Sequence, residues 1–166
     1  DNDDFEQISA DPEGRIWMAD ATGLRHLDDR GEAFVRLDAV APERVHAFVF
    51  LDAERLLVHQ LGRLMLLVRR EQGWSIDWTL GERDGLPVAE AATLVVDAAG
   101  QVLLSNPRGL WRVDPVQPSL HPFTRADGLP SVQFEIMPSA VRQGEDVVFL
   151  VGEGVLRVRG RWSSPS

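Results

Sequence analysis

Four histidines, His26, His46, His59 and His121, are the side chains of this 166-residue sequence best suited to metal ligation or proton transfer near neutral pH. None stands at a helical or close strand-type ligand spacing from another, and no cysteine assists them, so the pattern lacks the clustering of a zinc site. Ordinary strand or surface histidines are expected, with neither metal nor cofactor. The carboxylate pairs Asp3-Asp4 and Asp28-Asp29 have the composition of an acid and a base. However, Asp28-Asp29-Arg30-Gly31 is better read as a hairpin turn whose side chains bond their own backbone. Asp84 and Asp127 each precede a glycine and occur once per repeat, which marks architecture, since a catalytic group is seldom needed in duplicate. The sequence has no tyrosine, hence no tyrosine nucleophile of the kind sialidases use, and no G-x-S-x-G elbow, phosphate-binding glycine loop or H-E-x-x-H pattern. No catalytic residue is assigned.

Binding chemistry rests on the five tryptophans, Trp17, Trp74, Trp78, Trp111 and Trp162. Each could stack on a flat ligand, yet they sit among strand residues, where aromatic rings bury large areas in packing. Trp74 and Trp78 flank Ser75-Ile76-Asp77 and share one face only if strand alternation is regular. Arg69-Arg70 and Arg108 are basic spots in an acidic chain and are expected to be solvated.

The elements that must hold these groups repeat along the chain. Asp11 to Gly14 and Asp97 to Gly100 are both D-x-x-G, and in each the next glycine, Gly23 or Gly109, follows nine positions later with a leucine behind it. A second unit keeps Asp52 in the acidic turn position and echoes the Gly-Leu pair loosely in Leu61-Gly62-Arg63-Leu64. A fourth has Gly144 and Gly154-Val155 around an apolar strand from Val147 to Val151. Between units, Asp84-Gly85-Leu86-Pro87 recurs as Asp127-Gly128-Leu129-Pro130, with Pro42 in the same place after the first unit. These prolines are 45 and 43 residues apart, within the period of propeller blades.

Unit one divides into strands at Phe5 to Ala10, Arg15 to Ala19, Leu24 to Asp28 and Ala33 to Leu37, with turn glycines between them. Ten prolines, fourteen glycines and no helical period exclude a helical fold. The expected fold is all-β: a partial or open propeller of about four four-stranded antiparallel blades, near 5–42, 43–87, 88–130 and 131–166, forming one segment over 1–166. The fourth unit has little beyond Arg161-Trp162 for an outer strand, so the terminal blades are expected to favour self-association.

These units resemble the two-component regulator propeller repeat. The resemblance rests on Asp11-Pro12-Glu13-Gly14-Arg15-Ile16-Trp17-Met18-Ala19 followed by Thr22-Gly23-Leu24-Arg25, on the twice-present Asp-Gly-Leu-Pro, and on Ser131-Val132-Gln133-Phe134 after its second copy. It covers about the whole chain, strongly in units one and three. Departures are Leu103 where unit one has Trp17, and Trp111 where unit one has Arg25. The resemblance implies the periplasmic sensor region of an inner-membrane hybrid histidine kinase or diguanylate cyclase. It further implies a small ligand, a glycan fragment among the candidates, or a protein partner.

Composition narrows the alternatives. Lys plus Arg total 17 against 26 Asp plus Glu, a formal charge of -9, which opposes the phosphate contacts a nucleic-acid binder needs. The longest apolar stretch, Leu61 to Val68, is far shorter than the roughly 20 residues of a membrane helix, so direct membrane insertion is not expected. The absence of cysteine suits either the cytosol or a periplasm. The acidic start, Asp1-Asn2-Asp3-Asp4, reads as the beginning of an excised piece of a longer protein. A non-enzymatic sensing or interaction module is the expected function. A cytosolic interaction scaffold stands second, and a propeller lyase or hydrolase third.

Overall fold

A computed structural model of the chain describes residues 5–89, 92–123, 140–143, 146–151 and 154–158. Asp3-Asp4, Asp127 to Pro130, Ser131 to Phe134, Gly144 and Trp162 lie outside these residues. The described strands form four antiparallel sheets, each with its strands in chain order. The first holds β1 (Phe5–Ala10), β2 (Ile16–Asp20), β3 (Gly23–Leu27) and β4 (Phe34–Arg36). The second holds β5 (Val45–Asp52), β6 (Arg55–Gln60), β7 (Arg63–Arg70) and β8 (Gly73–Leu80). A 3₁₀ turn at Glu82–Asp84 precedes the third sheet, β9 (Thr93–Val96), β10 (Val102–Asn106), β11 (Gly109–Asp114) and β12 (Ser119–Pro122). The fourth comprises β13 (Ala140–Gln143), β14 (Asp146–Val151) and β15 (Gly154–Val158). The chain divides into two compact units, Asp1–Gly81 with the first two sheets and Glu82–Ser166 with the others.

The D-x-x-G turns show why the repeat has its spacing. Asp11 Oδ1 accepts from the backbone N–H groups of Glu13 and Arg15, both at 2.9 Å, and Asp97 Oδ1 accepts from those of Ala99 and Gln101 at 2.9 and 2.8 Å. The glycine N–H closes each turn on the aspartate carbonyl. Gly14 and Gly100 have φ of 88° and 83°, and an added Cβ would meet nothing within 4 Å, so conformation and not space selects glycine. Asp28 repeats the device between β3 and β4, its Oδ1 accepting from Arg30 and Glu32. The hairpin expected at Asp28-Asp29-Arg30-Gly31 is therefore present.

Central strands are the most deeply buried. Every described side chain of β10 is buried, as are five of the six in β6, which accounts for the apolar runs Val102-Leu103-Leu104 and Leu56-Leu57-Val58. In the first unit Trp17, Leu24, Val45, Phe48, Leu56 and Leu67 belong to a continuous core, against which Phe50 and Trp74 pack.

Within that unit one side chain stitches the two sheets together. The Gln7 amide donates from Nε2 to the Phe48 carbonyl at 2.9 Å and accepts from the Phe48 N–H at Oε1 at 3.1 Å, in the manner of a neighbouring strand. β1 and β5 are both edge strands, so this amide satisfies backbone groups that no ladder reaches. Replacing Gln7 with alanine is expected to cost about 1–3 kcal/mol, because the polar groups of the fully buried Phe48 lose their partners. The check is a lower urea midpoint at an unchanged m-value.

Candidate functional site

The turn that begins the chain's first repeat also builds a cleft. Asp11 spends Oδ1 on its own turn, and Oδ2 accepts from the indole N–H of Trp17 at 2.9 Å. That bond fixes the ring of Trp17, which is 2% exposed. His26 lies opposite Trp17 in the β2–β3 register, and the ring centroids are 4.8 Å apart. From the second sheet come Phe50, edge-on to Trp17 at 5.1 Å, and Trp74, nearly perpendicular at 5.8 Å and 88°. An aromatic wall is thus assembled from four strands.

Charged groups form the rim. Arg15 donates from Nη1 to the Leu27 carbonyl at 3.2 Å and from Nη2 to Asp29 at 2.6 Å. Asp29 therefore does more than complete its hairpin. His26 Nδ1 lies 2.8 Å from the Leu27 carbonyl and 3.5 Å from Arg15 Nη1. Across the mouth, Arg69 Nη1 of β7 pairs with Glu13 at 2.5 Å and so joins the first sheet's turn to the second sheet. Arg69 and Trp74 are register partners in β7–β8. The cleft has a volume of about 290 Å³. A shallower one of about 830 Å³ adjoins it over Glu54 and the β7–β8 turn, and Glu13, Arg69 and Trp74 border both.

Of the groups singled out by type and spacing, His26, Trp17, Trp74 and Arg69 converge here. Trp78 is half-buried, and the alternation that would set it on the face of Trp74 is broken: Trp78 faces Leu66 while Ile76 faces Leu67, which leaves Asp77 as an extra residue. Trp111 is buried in β11, His121 is exposed in β12, and Arg70 and Arg108 are exposed as expected. Asp84 occupies the 3₁₀ turn closed by the Gly85 N–H on the Glu82 carbonyl. Asp11, Glu13 and Arg15 carried no site reading from the sequence. The available signal was the departure between repeats, since only unit one follows its D-x-x-G with a tryptophan. In unit three Leu103 stands there, and Asp97 Oδ2 is buried with no hydrogen-bond partner among the described residues.

A histidine pair escaped the spacing test. The β5–β6 pairing brings His46 and His59 to 5.6 Å, with His46 the extra residue of a bulge between Val45 and Ala47. His59 is fully buried, and neither of its ring nitrogens is hydrogen-bonded among the described residues. Burial, reinforced by the neighbouring His46, pushes its pKa down to about 3. It is thus a neutral core residue on a strand, one of the two positions expected for it, and not at the surface. Among the described residues no three metal-ligating side chains gather, and no helix is long and apolar enough to cross a membrane.

Blade-like four-stranded meanders repeated along an all-β chain define a β-propeller segment. Among solved structures the chain is similar to the extracellular domain described as that of a hybrid two-component system from B. thetaiotaomicron, at TM-score 0.75 and 14% identity over 96% of this chain and 23% of that one. A second such domain from the same organism matches at TM-score 0.65 and 12% identity, over 93% of this chain and 20% of that one. Virginiamycin B lyase from Staphylococcus aureus matches at TM-score 0.59 and 10% identity, over 92% of this chain and 54% of the lyase. The chain therefore spans between a fifth and a quarter of the length of these two extracellular domains. No family model matches the chain, and no curated protein matches it.

Proposed function

We propose that this chain is a ligand-sensing propeller segment on the periplasmic side of a bacterial transmembrane signalling protein, of the hybrid histidine kinase or diguanylate cyclase type. The observation that carries the proposal is the aromatic-backed cleft shared by the first two sheets. A ligand seated there touches both sheets at once and changes how they are joined. The repeat residues and the solved two-component domains support the same reading at the level of fold.

The cleft is read as a site that binds without turnover. Both oxygens of Asp11 are engaged by three N–H donors, and Glu13 is held in an ion pair, so neither carboxylate is poised for proton transfer. In the intact receptor, Trp74→Ala is expected to raise the concentration of inducing growth medium needed for half-maximal output by about tenfold, equivalent to about 1.4 kcal/mol of lost contact. Alkaline phosphatase fused after Ser166 is expected to be active, as it is only outside the cytoplasm. An unchanged dose response would remove the cleft from signalling, and an inactive fusion in a stably expressed protein would remove the periplasmic assignment.

A further inference from the structure

We infer that the cleft between the β1–β2 turn and β7–β8 takes a small organic anion, a carboxylate on a flat apolar body, and that Glu13 is the internal stand-in which this carboxylate displaces from Arg69. This rests on the proposal that the cleft is the ligand site, and adds the chemistry of what enters.

Two guanidinium groups, Arg15 and Arg69, line a cavity whose other wall is aromatic. They are not equivalent. Arg15 is held by the Leu27 carbonyl and by Asp29, whereas Arg69 makes one side-chain hydrogen bond among the described residues, to Glu13. A guanidinium carries five N–H donors in a fixed fork, so Arg69 retains the capacity for a two-point grip on a carboxylate. The pair it must give up is weak. The Arg69 and Glu13 side chains are 46% and 58% exposed, and exposed ion pairs contribute about 0–1 kcal/mol. Glu13 sits on a turn fixed by backbone bonds to Asp11, so its side chain can leave for solvent without disturbing the hairpin.

A cationic guest is disfavoured. It would face both arginines, and Asp11, the one carboxylate behind the rim, already accepts three N–H bonds. The half-buried ring of Trp74, register partner of Arg69, offers a flat surface beside the guanidinium. A volume of about 290 Å³ suits a small ligand. Because Glu13 and Arg69 border both cavities, displacement of Glu13 alters the lining of both. Entry of the anion would thus break a contact between two blades, which gives binding a structural consequence.

The test uses the full chain with benzoate, the neutral benzamide and inorganic sulfate, read by calorimetry and by tryptophan fluorescence. Benzoate is expected to bind about tenfold more tightly than benzamide or sulfate, Arg69→Met to abolish that preference, and Glu13→Gln to strengthen benzoate about threefold or more by removing the competitor. Met keeps most of the Arg69 stem packing, and an unchanged melting temperature confirms that the variant is folded. Equal affinity for benzoate and benzamide, a preference that survives Arg69→Met, or no benzoate binding even in Glu13→Gln would overturn the inference. Sulfate binding as tightly as benzoate would overturn the flat body. Equal binding of benzoate and benzamide that is lost in Trp74→Ala would remove the anion while leaving the cleft as the ligand site.

Discussion

Trp17→Ala is expected to destabilise the chain by about 3–5 kcal/mol, a large share of the stability of a domain this size. Trp17 is a fully enclosed ring in contact with His26, Phe50 and Trp74, and the last two belong to the neighbouring sheet. Its removal leaves a cavity where the two sheets of the first unit meet, and it strips Asp11 Oδ2 of its indole donor. Two milder variants separate these losses. Trp17→Phe keeps an aromatic wall but deletes the N–H, and should cost about 1–3 kcal/mol through the unsatisfied carboxylate oxygen. Trp17→Leu places in unit one the residue that unit three carries at Leu103, and should fall between Phe and Ala. Urea titrations of the four proteins provide the measurement, and a Trp17→Ala midpoint within error of the parent would refute the placement of this ring.

Folding stability is expected to fall as pH drops from 6.5 towards 5, with His59 as the main source. The folded pKa of His59 is pushed down to about 3 from 6.5, first by burial and then by His46. A base with a depressed pKa binds more protons unfolded than folded, so its neutral form stabilises fully above 6.5. The contribution declines by about 1.4 kcal/mol per pH unit below that, or about 2 kcal/mol by pH 5. Three aspartates with lowered pKa act below this window. Asp28 is lowered by the Glu32 N–H and its neighbours. In Asp20 and Asp52 partial burial pushes the pKa up but is outweighed by hydrogen bonds to the Thr22 and Glu54 N–H groups and by Arg25 and Arg55. Those groups hold their stabilisation above the ordinary carboxylate pKa of 3.8 and lose it only on further acidification. His59→Leu replaces the imidazole with an apolar side chain opposite Leu64, and should flatten the slope between pH 7 and 5. Parallel slopes in the two proteins would show that another group is responsible.

Both effects arise where the repeat departs from itself. Ala19, His59 and Ser105 occupy equivalent places near the end of the second strand of their sheets, facing Leu24, Leu64 and Leu110, and all three are fully buried. Small residues fill the slot in the first and third sheets, and only the second encloses a titratable ring. Trp17 and Leu103 differ in the same way one turn of the pattern earlier. Repetition fixes the frame, and individual chemistry enters through such substitutions.

The sequence by itself determined the strands, turns and blade repeat, because the interactions that set them are local. An aspartate reaches N–H groups two and four residues ahead, a glycine adopts positive φ within its own turn, and each strand pairs with the next across a short hairpin. Strand ends in unit one accordingly fall within a residue or two of those expected. Only the tertiary structure decided which of these residues form a site. Glu13 meets Arg69 across 56 positions, Gln7 meets Phe48 across 41, and His46 meets His59 through a bulge that no spacing rule anticipates. Such contacts depend on how the twisted faces of adjacent sheets pack. That packing is set by the combined shapes of many side chains, and no local pattern records it.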